Sequence, residues 1–107
     1  MGRLERRPGG EARSLLALVP PECRVGEVFR PQPNGHAELV VMGTGLSRDD
    51  AILWNGRALP TSYGSSRTIG ADVAPALVAS PGEIEITVED TLDPSRPKLR
   101  ARFVITR

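Results

Sequence analysis

Apolar and polar residues alternate with a period of two through much of the chain, which places every second side chain on one face of an extended strand. The alternation is clearest near the C-terminal end. Over residues 83–90, Ile84, Ile86 and Val88 share one face and Glu83, Glu85, Thr87 and Glu89 the other. Over residues 98–106, Leu99, Ala101, Phe103 and Ile105 oppose Lys98, Arg100 and Arg102. If 91–97 is the loop of an antiparallel hairpin, Glu89 faces Lys98, Thr87 faces Arg100 and Glu85 faces Arg102. One outer column is then acidic and its neighbour basic. A one-residue slip would put Phe103 in water, so pattern and charge set the register together.

Shorter segments precede these. Residues 14–20 read as a first strand at a sheet edge, because Pro20 and Pro21 lack the amide donor that an inner strand needs, and 23–29 continue that edge. Pro31, Pro33 and Asn34-Gly35 form a loop. In 37–43, Ala37, Leu39 and Val41 face inward, while Glu38, Val40 and Met42 make a mixed outer face. Asn55-Gly56 sits between Ile52-Leu53-Trp54 and Arg57-Ala58-Leu59, the setting of a two-residue type I′ hairpin, with Ile52 and Trp54 pointing inward. Tyr63 to Ser66 reads as a turn, and 68–73 as a strand that buries Ile69, Ala71 and Val73. Residues 75–80, opened by Pro75 and stopped by Pro81-Gly82, predict one helical turn whose Leu77 plugs the end of the core. About seven to nine short strands with almost no helix specify an all-β sandwich of two sheets over residues 14–107. Residues 1–13, with Gly9-Gly10 at their centre, are expected to be a flexible arm or linker of a longer polypeptide.

Composition narrows the function. Fourteen basic and 13 acidic residues leave a net charge of +1, so no global field draws the chain to nucleic acid or an anionic membrane. No apolar run approaches the length of a membrane-spanning helix. Cys23 is the one cysteine, so no disulfide can form within the chain and the sheets are held by packing alone.

Candidate chemistry is sparse. His36 is the one histidine, in a loop beside Asn34-Gly35, and Cys23 reads as a small hydrophobe; together they supply neither a catalytic triad nor a closed zinc site. Asp49-Asp50 and the group Glu89, Asp90 and Asp93 offer oxygens to calcium, but without the alternating spacing of a calcium loop. Gly43-Thr44-Gly45 lacks the Lys-Ser/Thr of a phosphate loop and reads as a corner. Lys98, Arg100 and Arg102 make a basic stripe that the neighbouring glutamates neutralise. Tyr63 or Trp54 would have to supply the exposed ring of a sugar site, although periodicity turns Trp54 inward. Leu53, Val40 and Met42 are candidates for an apolar patch against a neighbouring domain. No catalytic, metal or cofactor residue is assigned, and ligand-binding residues are unknown.

The stretch Ile52-Leu53-Trp54-Asn55-Gly56-Arg57-Ala58-Leu59-Pro60-Thr61, the run Thr68 to Leu77 and the Ser80-Pro81-Gly82 start of a strand through Ile86-Thr87-Val88 resemble an IPT/TIG repeat, which Phe103-Val104-Ile105 closes in a similar way. Gly43-Thr44-Gly45-Leu46 is similar to the Gly-rich corner of that family. The chain departs from it where Ala74 separates Val73 from Pro75 and where 25–36 run longer. The resemblance implies an immunoglobulin-like β-sandwich without catalytic residues or cofactor, found as an accessory module of larger proteins. It leans towards the bacterial cell surface or envelope. The expected function is domain spacing or protein contact; the alternative is a carbohydrate-binding appendage of a glycan-active enzyme.

Overall fold

Runs of two to nine residues, broken by Gly and Pro, fold as nine strands in the computed structural model, which describes residues 12–107. They are β1 (Ser14–Val19), β2 (Glu22–Arg24), β3 (Ala37–Thr44), β4 (Asp50–Trp54), β5 (Arg57–Ala58), β6 (Thr61–Ser65), β7 (Thr68–Val73), β8 (Gly82–Asp90) and β9 (Leu99–Thr106), with a 3-10 turn over Pro75–Val78. A four-stranded sheet in the order β1-β3-β7-β6 faces a five-stranded sheet in the order β2-β9-β8-β4-β5. That order, antiparallel throughout except where β2 runs parallel to β9, is the immunoglobulin-like sandwich.

Two of the chain's changes of sheet run between edge strands, and both carry proline. Pro20-Pro21 lies between β1 and β2, and Leu59-Pro60 between β5 and β6. A missing amide is harmless at an edge, and the crossing chain covers part of each open side. Between the sheets lie Leu39, Val41, Ile52, Ile69, Val73, Ile86, Val88 and Phe103, all fully buried. The Phe103 ring has Phe29 on one side and Trp54 on another, each with centroids 5.5 Å away.

Most of the sequence pattern appears as expected. Asn55 and Gly56 both take positive φ, 48° and 86°, as a type I′ turn requires, and Trp54 pairs with Arg57 across it. The Asn55 Oδ1 also accepts the Glu85 amide at 2.8 Å, so the turn side chain extends the β4–β8 ladder past Trp54. The β8–β9 ladder sets Glu85 opposite Arg102 and Thr87 opposite Arg100, the register expected from the charges. The ion pairs, however, run diagonally: Arg100 reaches Glu85 at 3.0 Å and Arg102 reaches Glu83 at 3.5 Å, while Lys98 meets Glu89 at 3.4 Å. Long side chains on a twisted pair reach the diagonal neighbour as readily as the direct one. These pairs are exposed, so Arg100→Ala should lower stability by less than about 1 kcal/mol, and by nothing measurable in about 1 M salt; urea midpoints at the two salt concentrations check this.

Four expectations change. Residues 23–29 do not prolong the first edge: Glu22–Arg24 join the other sheet beside β9, and Phe29 turns into the core. Tyr63, Gly64 and Ser65 are strand, not turn, and the reversal comes at Ser66-Arg67. Gly64 makes this possible, since a Cβ there would sit 3.0 Å from the Thr68 carbonyl oxygen beside the β6 bulge. The plug at the end of the core is Val78, with Leu77 half-buried beside it, because a 3-10 turn of about three residues shifts the inward position. Arg13, placed in the arm by sequence, is fixed to the sandwich, its side chain only 3% exposed against Asp50. Of the rest of the expected arm, Ala12 is exposed and residues 1–11 lie outside the described residues.

Candidate functional site

The outer face of the four-stranded sheet is built by register. One row crossing it reads Val19, Val40, Gly70 and Ser62 from β1 to β6. Two branched side chains therefore stand beside a position with none, leaving a hollow over β7 into which the Glu38 carboxylate folds. A cleft of about 340 Å³ opens there against Val19, Val40, Met42, Tyr63 and Gly64. A second, of about 370 Å³, continues towards Asn34 and Asp72 and shares Glu38, Ser62 and Gly70 with the first. Val19 and Met42 are 38% and 39% exposed, and Leu16, on the bulge of the β1 edge, is 67% exposed.

The rim is charged. Glu38 and Asp72 lie directly opposite each other on β3 and β7, an unfavourable pairing of like charges that the 30–36 loop relieves. Arg30 Nε meets Glu38 at 3.4 Å and His36 Nδ1 meets Asp72 Oδ2 at 2.8 Å, while Asn34 Nδ2 donates to Asp72 Oδ1 at 3.0 Å. The Asn34 Oδ1 accepts the His36 amide at 2.9 Å and shapes the loop. The Asn34 hydrogen bond, then the His36 contact, hold the Asp72 carboxyl below its usual range against a weaker opposing effect of burial. A carboxylate depressed in the folded state adds stability that is complete above the unfolded value near pH 4 and is lost as pH falls through the folded one. Asp72→Asn should therefore flatten the acid limb of a plot of urea midpoint against pH, below about pH 4.

The other residues singled out by sequence are engaged elsewhere. Cys23 is buried on β2, and burial, then Glu27, push its thiol up, away from the nucleophilic thiolate. Asp50 and Asp90 face each other at the end of the β4–β8 ladder. Arg13 holds Asp50 and Arg96 holds Asp90, each at 2.9 Å, and both guanidiniums also donate to the Gly45 carbonyl oxygen. Burial pushes the Asp90 carboxyl up, but Arg96 and the Leu92 and Asp93 amides together outweigh it and leave it below its usual range. Gly43-Thr44-Gly45 is a corner: Gly45 takes φ 66°, and a Cβ on Gly43 would overlap the Ser14 carbonyl oxygen. Among the described residues no three His, Cys, Asp or Glu side chains converge as a metal would require. Trp54 is buried, and Tyr63 lies between the core and the Arg48 guanidinium, 4.6 Å from its ring centre. Of the expected apolar patch, Met42 is exposed, Val40 is buried at its foot and Leu53 is half-buried on the other sheet.

Sequence reasoning missed two features. One is the hollow, signalled only by a glycine at an outward position between inward Ile69 and Ala71. The other is the pair of arginine clamps.

No family model and no curated protein matches the chain. Among solved structures, a Bacteroides thetaiotaomicron chain provisionally named a phosphatase superposes with a TM-score of 0.50 at 15% identity, over 90% of this chain and 18% of that one. At that identity the likeness is one of fold alone, and this chain spans less than a fifth of its neighbour's length. Among the described residues no helix is long and apolar enough to cross a membrane.

Proposed function

We propose that this chain is a non-catalytic accessory module, of the IPT/TIG type that its sequence resembles, which contacts protein or spaces neighbouring domains. The observation that carries the reading is the outer face of the four-stranded sheet, where Val19 and Met42 are exposed beside a cleft. Groups with reactive potential are held in pairs or in the core: Asp50 by Arg13, Asp90 by Arg96, Asp72 by His36, and Cys23 by burial. In the solved neighbour the same fold is one part of a much longer chain, as a module would be.

Glycan binding has less support. Such sites stack sugars on exposed rings, and here Phe29, Trp54 and Phe103 are buried together while Tyr63 is covered by Arg48. The two readings separate in one experiment. A photoreactive methionine at position 42 should crosslink to a defined segment of one protein, and a glycan array should stay blank. Glycan binding that shifts Trp54 emission, with no protein crosslink, would reverse the assignment.

A further inference from the structure

The chain has two asparagines, Asn34 and Asn55, and glycine follows each. Asn-Gly is the setting in which a backbone amide nitrogen most readily attacks a side-chain amide, because glycine brings no Cβ to obstruct the approach. The fold treats the two sites differently. At Asn34 every reacting group is engaged: Nδ2 donates to Asp72 Oδ1 at 3.0 Å, Oδ1 accepts the His36 amide at 2.9 Å, and the Gly35 amide donates to the Gln32 carbonyl oxygen at 2.9 Å. Asn55 is held to Glu85 by its backbone amide and by Oδ1, both at 2.8 Å. Among the described residues, however, neither its Nδ2 nor the Gly56 amide has a hydrogen-bond partner, and a Cβ on Gly56 would meet nothing within 4 Å. Nucleophile and leaving group are therefore both open to water. The support around them is slight, since β5 is two exposed residues at the edge of its sheet, and the turn can open without disturbing the core.

From this contrast we infer that Asn55-Gly56 is a site of spontaneous modification, at which the asparagine becomes a mixture of isoaspartate and aspartate. When the turn opens, the Gly56 nitrogen attacks the Asn55 Cγ. A bond forms between Cγ and that nitrogen, the bond from Cγ to Nδ2 breaks, and Nδ2 leaves as ammonia with the proton from the Gly56 amide. Water then opens the cyclic imide. Breaking the new bond gives aspartate, and breaking the original peptide bond gives isoaspartate, whose main chain runs through Cβ and Cγ and is one carbon longer. Nothing is oxidised or reduced. The added carbon does not fit a type I′ turn, whose central residues, at φ 48° and 86°, set Trp54 opposite Arg57. Conversion is thus a slow, one-way release of the β4–β5 hairpin that loosens Trp54 at its base. The inference stands apart from the protein-contact reading and does not depend on it.

Ageing the whole chain in mildly alkaline buffer at body temperature, with peptide mapping by mass spectrometry at intervals, tests the assignment. Asn55 should convert at least about tenfold faster than Asn34, and its product should accept a labelled methyl group from S-adenosylmethionine and an isoaspartyl methyltransferase. In urea the two sites should convert at similar rates, because each is then an Asn-Gly pair in an open chain. Asp72→Ala takes one anchor from Asn34 and should speed conversion there by about threefold or more while leaving Asn55 unchanged. Asn55→Gly keeps the positive φ that the turn needs and removes the amide. It should fold, and its Trp54 emission should hold steady through an ageing time in which that of the parent moves to longer wavelength. Equal rates at the two sites in the folded chain, earlier conversion of Asn34, or a preference that persists in urea would overturn the inference. So would an Asp72→Ala variant whose Asn34 stays slow, or a parent chain that carries isoaspartate at position 55 with unshifted emission.

Discussion

Asp50→Ala is expected to cost about 3–5 kcal/mol, because it strands a charge that has no route to water. The Arg13 guanidinium spends both of its terminal nitrogens on Asp50, at 3.0 and 2.9 Å, and donates from Nε to the Pro97 carbonyl oxygen at 3.0 Å. Its side chain is 3% exposed and that of Asp50 is 0% exposed. Asp50 also accepts the Ser47 amide at 2.7 Å, so alanine there leaves two donors without their acceptor. Arg13→Ala removes the other half of the pair and should cost a similar amount. Arg13→Lys keeps the charge but cannot make the forked contact, and should recover only part of the loss. Urea unfolding of both single variants and the double variant measures the pair directly. The double should fall short of the sum of the singles by about 1–3 kcal/mol, since the second substitution removes a charge already stranded. Single losses below about 1 kcal/mol would mean that the pair is open to water and that Arg13 does not belong to the folded domain.

The same residues show how far the sequence could be read. Strands followed from alternation because a half-buried strand exposes every second residue, whatever its partners are. Register followed as well, from acidic and basic columns on β8 and β9. The clamps did not, because Arg13 and Asp50 are far apart in sequence and nothing local links them. A signal was nonetheless present. Asp50 shares its strand face with Ile52 and Trp54, and Asp90 shares its face with Ile86 and Val88. An aspartate on an inward face demands a cation, and two opposite each other demand two. The hollow over β7 was harder to read, because a glycine in a strand signals a bulge or a close approach as readily as an open floor. The pairing of Gly70 with Val40 and Ser62 excludes a bulge, and the Glu38 carboxylate folded over it makes this a close approach.

The two acidic pairs, Glu38 with Asp72 and Asp50 with Asp90, also differ in burial. Asp50 and Asp90 are buried and each has an arginine. Their cluster closes one end of the sandwich and is built for stability. Glu38 and Asp72 are partly open to solvent and rely on one arginine and one histidine. Burial decides between the two arrangements, since an exposed carboxylate tolerates incomplete pairing and a buried one does not.

Phe103→Ala is expected to cost about 3–5 kcal/mol, a large part of the roughly 5–15 kcal/mol that holds a domain of this size together. The ring is fully buried on the central face of β9 and touches both Phe29 and Trp54 in tilted contacts. Beyond lost area, each such contact contributes about 0.5–1.5 kcal/mol, so this position loses two at once. Phe29 comes from the long loop between β2 and β3, and Trp54 from the far end of β4, so collapse into the space left behind would have to move a loop and a strand together. That is why the loss should sit near the top of its range. Phe103→Leu keeps most of the volume and should cost less, while Leu16→Ala, at 67% exposure, should stay within about 0.5 kcal/mol of the parent and serves as the control. Urea midpoints rank the three, and Trp54 emission should move to longer wavelength in Phe103→Ala alone. A loss under about 2 kcal/mol with unchanged emission would show that the sheets close over the gap, and that the three rings are not the centre on which the sandwich packs.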